Sequence, residues 1–117
     1  MKEAYVSYET AKLLKEKGFD THCDRGWDIS CYDEKHPRMF SIYFDNKDKW
    51  ISAPTHQMAC AWCRDKGYHI YTFKSTVASW AYEVQSLSED WTFYFGGFKE
   101  HDEAIEAALK YSLENLI

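Results

Sequence analysis

Four cysteines and five histidines are the residues best suited to chemistry in this 117-residue chain. Cys60 and Cys63 have the CxxC spacing of redox-active and zinc-binding motifs. In a thioredoxin-like site such a pair lies at the start of a helix, where the helix dipole stabilises a thiolate. Here the pair falls in the middle of a predicted helix, so its context does not fit a redox site.

A zinc site needs two more ligands besides Cys60 and Cys63. The remaining candidates are Cys23, Cys31, His22, His36 and His56. Seven residues separate the two other cysteines, so they do not form a second zinc knuckle. We therefore predict that the cysteines are small, buried apolar residues and that the chain holds no cofactor. A small zinc- or thiol-dependent enzyme that uses these residues is kept as an alternative function.

No residue is assigned a catalytic role. His22, Cys23 and Asp24 have the types of a Cys-His-Asp set, but neighbours on an extended chain point to opposite faces. Nucleophile and base usually come from separated segments. Gly96-Gly97 precedes a helix but lacks the pattern of a phosphate-binding loop, so we expect it to end a strand in a turn.

Tyrosines on the outer side of a predicted sheet form the candidate binding surface. Apolar residues alternate along 40–44 and point inward, so Tyr43 between them points outward. The same alternation gives four outward residues in all: Tyr32, Tyr43, Glu83 and Tyr94. Tyrosine contributes a large contact area at little entropic cost, so we expect a protein or small-molecule ligand to bind there. Ordinary cross-strand stabilisation of a half-exposed sheet explains the same pattern.

A pattern that occurs twice along the chain fixes two of the predicted helices. Residues 6–19 and 51–68 both read apolar-Ser-x-x-Thr, then a helical stretch, then basic-acidic-Lys-Gly-aromatic. The serine and the glycine are 11 residues apart in the first copy and 15 in the second, which predicts a second helix about one turn longer. The pattern is consistent with a diverged internal repeat over 5–44 and 50–95.

The whole chain, 1–117, is predicted to form a single α+β domain with the element order α-β-β-α-β-β-β-α. The predicted helices cover about 8–17, the stretch after Ser52 up to Gly67, and about 101 onwards, and the strands cover 27–32, 40–44, 68–73, 79–85 and 91–95. Short connections between consecutive strands imply an antiparallel sheet of about five strands. One apolar face per strand implies two layers, with the helices on one face of the sheet.

Apolar spacing also predicts which side chains face the core. In the second helix, Pro54 lies in the first turn, and Met58, Ala61 and Trp62 form the apolar stripe. Six residues of the last helix are predicted to face the core: Ala104, Ile105, Ala108, Leu109, Leu113 and Leu116. On the last strand, Trp91, Phe93 and Phe95 share one face.

Charge and hydropathy limit the partners. The net charge of −5 disfavours binding to nucleic acid, which needs a basic face. No apolar run is long enough for a membrane span and no signal-peptide core is present, so we expect a cytoplasmic protein with reduced thiols. An unpaired edge strand is compatible with a homodimer formed by sheet extension.

Two resemblances accompany these patterns. From Pro54 to Ile117 the order α-β-β-β-α resembles a double-stranded-RNA-binding domain, which makes an RNA-binding module a further alternative. However, 99–103 reads Lys-Glu-His-Asp-Glu where those domains present a lysine cluster. The stretches 5–14, 52–59 and 98–104 resemble a family of small proteins carried by gut-bacterial phages and mobile elements, to which no activity is assigned. That resemblance implies a small accessory protein acting inside a bacterial cell, and we predict a non-enzymatic binding module.

Overall fold

The computed structural model describes residues 4–21, 23, 25–28, 50–77 and 79–117. Within these residues the order of helices and strands matches the predicted one roughly, because one of the observed strands is not among those predicted. The elements are α1 (Tyr8–Glu16), β1 (Gly26–Asp28), β2 (Trp50–Ser52), α2 (His56–Asp65), β3 (Tyr68–Thr76), β4 (Ser79–Ser86), β5 (Thr92–Phe98) and α3 (His101–Asn115). The predicted α+β class, with antiparallel strands and helices packed on a sheet, is confirmed.

The described strands form two sheets instead of one. β1 pairs with β2, and β3, β4 and β5 form a three-stranded antiparallel sheet with β4 in the middle. The prediction of one sheet of about five strands is wrong for this part of the chain. Only β3, β4 and β5 are joined by short turns, whereas α2 lies between β2 and β3 and separates the two sheets along the chain.

The first predicted hairpin is only partly covered. β1 overlaps the start of the predicted strand 27–32, and the rest of that strand and the whole predicted strand 40–44 lie outside the described residues. β2 was not predicted, because its three residues were interpreted as the approach to the second helix. They pair with β1, and Trp27 lies opposite Ile51.

α1 begins and ends as predicted. Ser7 is its N-cap, and the Ser7 hydroxyl accepts a hydrogen bond of 3.2 Å from the backbone N–H of Thr10. Gly18 has a φ of 102°, the left-handed conformation that glycine adopts without a steric penalty. The backbone N–H of Phe19 then donates to the Leu14 carbonyl, which closes the helix end.

α2 begins later than predicted. Thr55 is the N-cap, and its side chain accepts from the backbone N–H of Met58 at 3.1 Å, whereas Ser52 belongs to β2. Pro54 therefore precedes the helix and does not lie in its first turn. A residue before proline is disfavoured in the helical conformation, so Ala53 cannot start a helix. With this later start α2 has 10 residues against 9 in α1, so the predicted extra turn is absent.

The buried face of α2 differs from the predicted stripe. His56, Ala59 and Cys63 are buried, while Met58 is 38% exposed and Ala61 and Trp62 are only partly buried. Both sets have helical spacing, so periodicity alone does not choose between them.

Gly96 and Gly97 do not end β5, which continues to Phe98. Trp80 lies opposite Phe98 while Ala81 lies opposite Gly96, so Gly97 is an extra residue in the strand. This is a β-bulge, and the φ of 96° at Gly97 is the positive value that glycine supplies in such bulges. The glycine pair therefore bends the strand instead of terminating it.

α3 is the central helix of the domain, because it packs against α1, α2 and all three strands of the larger sheet. Ala104, Ala108, Leu109 and Leu113 are fully buried as predicted. The other two predicted core residues, Ile105 and Leu116, are only partly buried, and Ser112 is buried in addition. One face of the three-stranded sheet is thereby covered by helices, and the described helices leave the opposite face uncovered.

Candidate functional site

The uncovered face of the three-stranded sheet is built from residues that lie opposite one another in rows. Glu83 on the middle strand lies between Tyr71 on β3 and Tyr94 on β5. Residues opposite each other in a sheet point to the same side, so these three side chains share one surface. Val84, the next residue along β4, is fully buried on the helix-covered side.

Two neighbouring rows extend this surface. Phe73 lies opposite Ala81, which lies opposite Gly96, and His69 lies opposite Gln85. We use the name outer face for six of these side chains: His69, Tyr71, Phe73, Glu83, Gln85 and Tyr94.

The aromatic rings of the outer face contact one another in a continuous chain. The ring centroids of His69 and Tyr71 are 5.5 Å apart, those of Tyr71 and Phe73 are 6.2 Å apart, and those of Phe73 and Tyr94 are 6.5 Å apart. Phe73 can approach Tyr94 because Ala81 and Gly96, its neighbours across the sheet, carry almost no side chain. The rings therefore connect the two edge strands across β4.

Much of this aromatic surface is open to solvent. Tyr94 is 70% exposed and Tyr71 is 37% exposed. Phe95, the neighbour of Tyr94 on the same strand, is also 61% exposed, although its ring lies on the opposite side of the sheet near Tyr82 and Phe98. The prediction that Phe95 points to the helix-covered side is correct, but the described helices do not reach far enough to bury its ring.

The predicted site residues are only partly within the described chain. Glu83 and Tyr94 lie on the outer face and directly opposite each other. Tyr32 and Tyr43 lie outside the described residues. The structure adds His69, Tyr71 and Phe73, which the sequence had not singled out. Alternation within β3 could have indicated which of its residues point outward. It did not, because both faces of this strand carry aromatic and apolar residues.

Glu83 is the charged residue at the centre of the outer face. It is half-buried, and the Gln85 side chain donates a long hydrogen bond of 3.4 Å to it. Among the described residues, no Lys or Arg side chain forms an ion pair with Glu83.

A second polar cluster, centred on Glu106 of α3, lies where the three helices meet. One carboxylate oxygen accepts from the Ser7 backbone N–H at 2.8 Å and lies 2.9 Å from His56 Nε2. The other accepts from the hydroxyls of Ser7 at 3.0 Å and Thr10 at 2.5 Å. Burial by itself raises the pKa of Glu106, but hydrogen bonds from His56, Thr10 and Ser7 outweigh it and hold that pKa below its usual value of 4.5.

Backbone pairing brings these side chains together. The Val6 N–H donates to the Pro54 carbonyl at 3.0 Å, and the His56 N–H donates to the Ala4 carbonyl at 2.9 Å. The first residues of α1 and α2 are thereby held side by side, and Glu106 lies against both. Sequence reasoning missed this cluster because its members are far apart along the chain: Glu106 is 99 residues from Ser7 and 50 residues from His56.

The Glu106 cluster contains a serine, a histidine and an acid but not the geometry of a catalytic triad. In a triad the histidine lies between the serine and the acid, so that it can take the hydroxyl proton. Here Glu106 lies between Ser7 and His56, and it accepts the serine proton itself in a hydrogen bond. The remaining ring nitrogen of His56, Nδ1, has no hydrogen-bond partner among the described residues and lies 3.8 Å from Asp102. The cluster is suited to joining helices.

The CxxC pair, Cys60 and Cys63, lies in α2, and its surroundings disfavour the thiolate form of both side chains. Burial raises the pKa of Cys60 to about 11 and that of Cys63 to about 12. A reactive thiol needs a lowered pKa, so these two cysteines are unsuited to nucleophilic or redox chemistry in this environment. Among the described residues, no group of three or more His, Cys, Asp or Glu side chains is arranged to hold a metal ion.

Comparison of the chain with protein-family models, with curated proteins and with solved structures finds no match. The resemblance to the phage-borne family stays a prediction. The described helices are all too short or too polar to cross a membrane.

Proposed function

We propose that this protein is a non-enzymatic binding module that retains a protein partner on its outer face, as an accessory factor of phage or mobile-element type. The observation that carries the proposal is the chain of rings from His69 through Tyr71 and Phe73 to Tyr94, in which both tyrosines are exposed to solvent. Tyrosine is enriched among the few residues that carry most of the binding energy at interfaces, and aromatic side chains bury a large area with few torsions to fix.

The sheet that carries the outer face also makes this surface suitable for binding a partner. The rings lie on β3 and β5, the two edge strands of a three-stranded sheet whose other side packs on α3. Side chains on such a scaffold are held closer to one geometry than side chains on a loop, which lowers the entropic cost of binding.

The alternatives have less support. A thiol enzyme needs an accessible thiolate, but the pKa values of Cys60 and Cys63 are raised by burial. Double-stranded-RNA binding needs cations at the start of the last helix, but the first turn of α3 carries Asp102 and Glu103.

The proposal is tested by replacing one exposed ring on each side of β5. Tyr94→Ser removes a ring from the outer face, and Phe95→Ser removes a similarly exposed ring from the opposite side of the same strand. We expect Tyr94→Ser to lower the amount of partner retained from a bacterial lysate at least tenfold, which corresponds to about 1.4 kcal/mol. Phe95→Ser should retain the partner.

Native mass spectrometry of the tagged protein and its two variants reports the retained species and its occupancy. Thermal unfolding of both variants checks that each still folds. Equal retention by Tyr94→Ser and the wild type would show that binding does not use the outer face.

A further inference from the structure

Glu83 has the surroundings of a group that could bind a cationic ligand. It is a half-buried carboxylate, and the described chain supplies no Lys or Arg to it. Taking a carboxylate partly out of water without an opposite charge costs free energy, which a cationic ligand would recover.

The rest of the sheet surface is complementary to such a ligand. The outward positions of β3, β4 and β5 carry Glu83 as their one carboxylate and no Lys or Arg in the described chain. The nearby Lys74 lies on the opposite side of the sheet, with its Nζ 5.8 Å from the centre of the Trp80 ring. A positive group approaching the outer face therefore meets a negative charge and no repelling one from these strands.

We propose that the outer face binds the guanidinium group of an arginine side chain from a protein partner, seated over Glu83 between Tyr71 and Tyr94. This inference rests on the proposed function and names the chemistry of the partner. Neighbouring strands lie about 5 Å apart, so a cation above Glu83 is within the roughly 6 Å over which a tyrosine ring attracts a cation on either side.

Arginine fits this row better than lysine. Its planar guanidinium stacks flat on an aromatic ring while the edge of the same group donates two parallel hydrogen bonds to a carboxylate. The row Tyr71, Glu83, Tyr94 offers one carboxylate with a ring to each side. An ammonium group satisfies the carboxylate but lacks the flat surface that the rings can cover.

The test uses a matched pair of small probes, n-butylguanidinium and its neutral counterpart n-butylurea, at millimolar concentrations in low salt. Backbone amide chemical shifts of the full-length protein report where each probe binds. We expect n-butylguanidinium to shift the amides of Tyr71, Glu83 and Tyr94 saturably, and n-butylurea to leave them unchanged. Glu83→Gln should weaken guanidinium binding at least tenfold, whereas Glu114→Gln, an exposed site on α3 with the same change in net charge, should leave it unchanged.

Two results would overturn the inference: equal shifts with both probes, or guanidinium binding that survives Glu83→Gln. Partner retention separates this failure from failure of the proposed function. If Tyr94→Ser loses the partner while Glu83→Gln retains it and n-butylguanidinium does not bind, the outer face is a binding surface for a partner of another chemistry. If neither variant alters retention, both proposals fail.

Discussion

Glu83 and Glu106 have opposite roles because their surroundings differ. Glu106 has four hydrogen-bond contacts from three residues at the starts of α1 and α2, so its carboxylate is saturated inside the protein. Glu83 receives one long hydrogen bond and no ion pair within the described chain. A saturated carboxylate stabilises the fold, whereas an unsaturated one at a surface is available to a ligand.

Replacing Glu106 tests its structural role. Glu106→Gln keeps the shape of the side chain but removes the negative charge that strengthens its four hydrogen-bond contacts. We therefore expect the free energy of unfolding to fall by about 1.5–3 kcal/mol. Glu114→Gln on the same helix is the control, and its exposed position predicts a change below about 0.5 kcal/mol. Denaturant titration at neutral pH measures both.

The pH dependence of the same variants has a definite sign. Because the pKa of Glu106 is lower in the folded protein than its usual value of 4.5, the unfolded chain takes up the proton first as the pH falls. The stabilisation is present above about pH 4.5 and is lost as the pH falls through the folded pKa. Wild type and Glu106→Gln should therefore converge in acid. A constant difference down to pH 3 would contradict this account.

Alternation of side chains placed Glu83 and Tyr94 on the outer face from the sequence alone. It could not do the same for His69, Tyr71 and Phe73. The opposite face of β3 carries Tyr68, Ile70 and Thr72, which are no more apolar as a set. The direction of β3 is decided by its pairing with β4, and local sequence does not encode that pairing clearly.

At the scale of elements, the two predicted helix starts had different outcomes for a physical reason. Ser7 is a cap without a competitor, and the prediction for α1 is confirmed. Before α2, Ser52 and Thr55 are both good caps by residue type. Pairing of Ile51 with Trp27 holds Ser52 in a strand, and Pro54 keeps the residue before it extended, so Thr55 is left to cap the helix.

Replacing Thr55 tests this assignment. Thr55→Ala removes the side-chain acceptor for the Met58 N–H, and we expect a loss of about 1 kcal/mol in the free energy of unfolding. Thr55→Ser keeps a hydroxyl at the same position and should be within about 0.5 kcal/mol of the wild type. Thermal or denaturant unfolding compares the two. Equal stability of the alanine and serine variants would argue against Thr55 as the cap.

At the scale of the whole molecule, the sequence predicts the rough element order and the helix-covered layer, but neither β2 nor the division of the described strands into two sheets. Element order follows from local periodicity and from glycines such as Gly18 and Gly67. Strand pairing joins residues far apart, for example Trp27 with Ile51, and no local pattern specifies it. The outer face exists because the described helices pack on one side of β3, β4 and β5 only.

The central claim, that this uncovered face is where a partner binds, is tested most directly by covalent footprinting without any substitution. The tagged protein is labelled once after purification and once in a bacterial lysate, and the modification of Tyr71, Tyr94 and Phe95 is quantified by mass spectrometry. We predict that the lysate protects Tyr71 and Tyr94 while Phe95, on the opposite side of the sheet, is labelled equally in both samples. The claim would be contradicted if Tyr71 and Tyr94 were labelled to the same extent in the lysate as after purification, or if only Phe95 were protected.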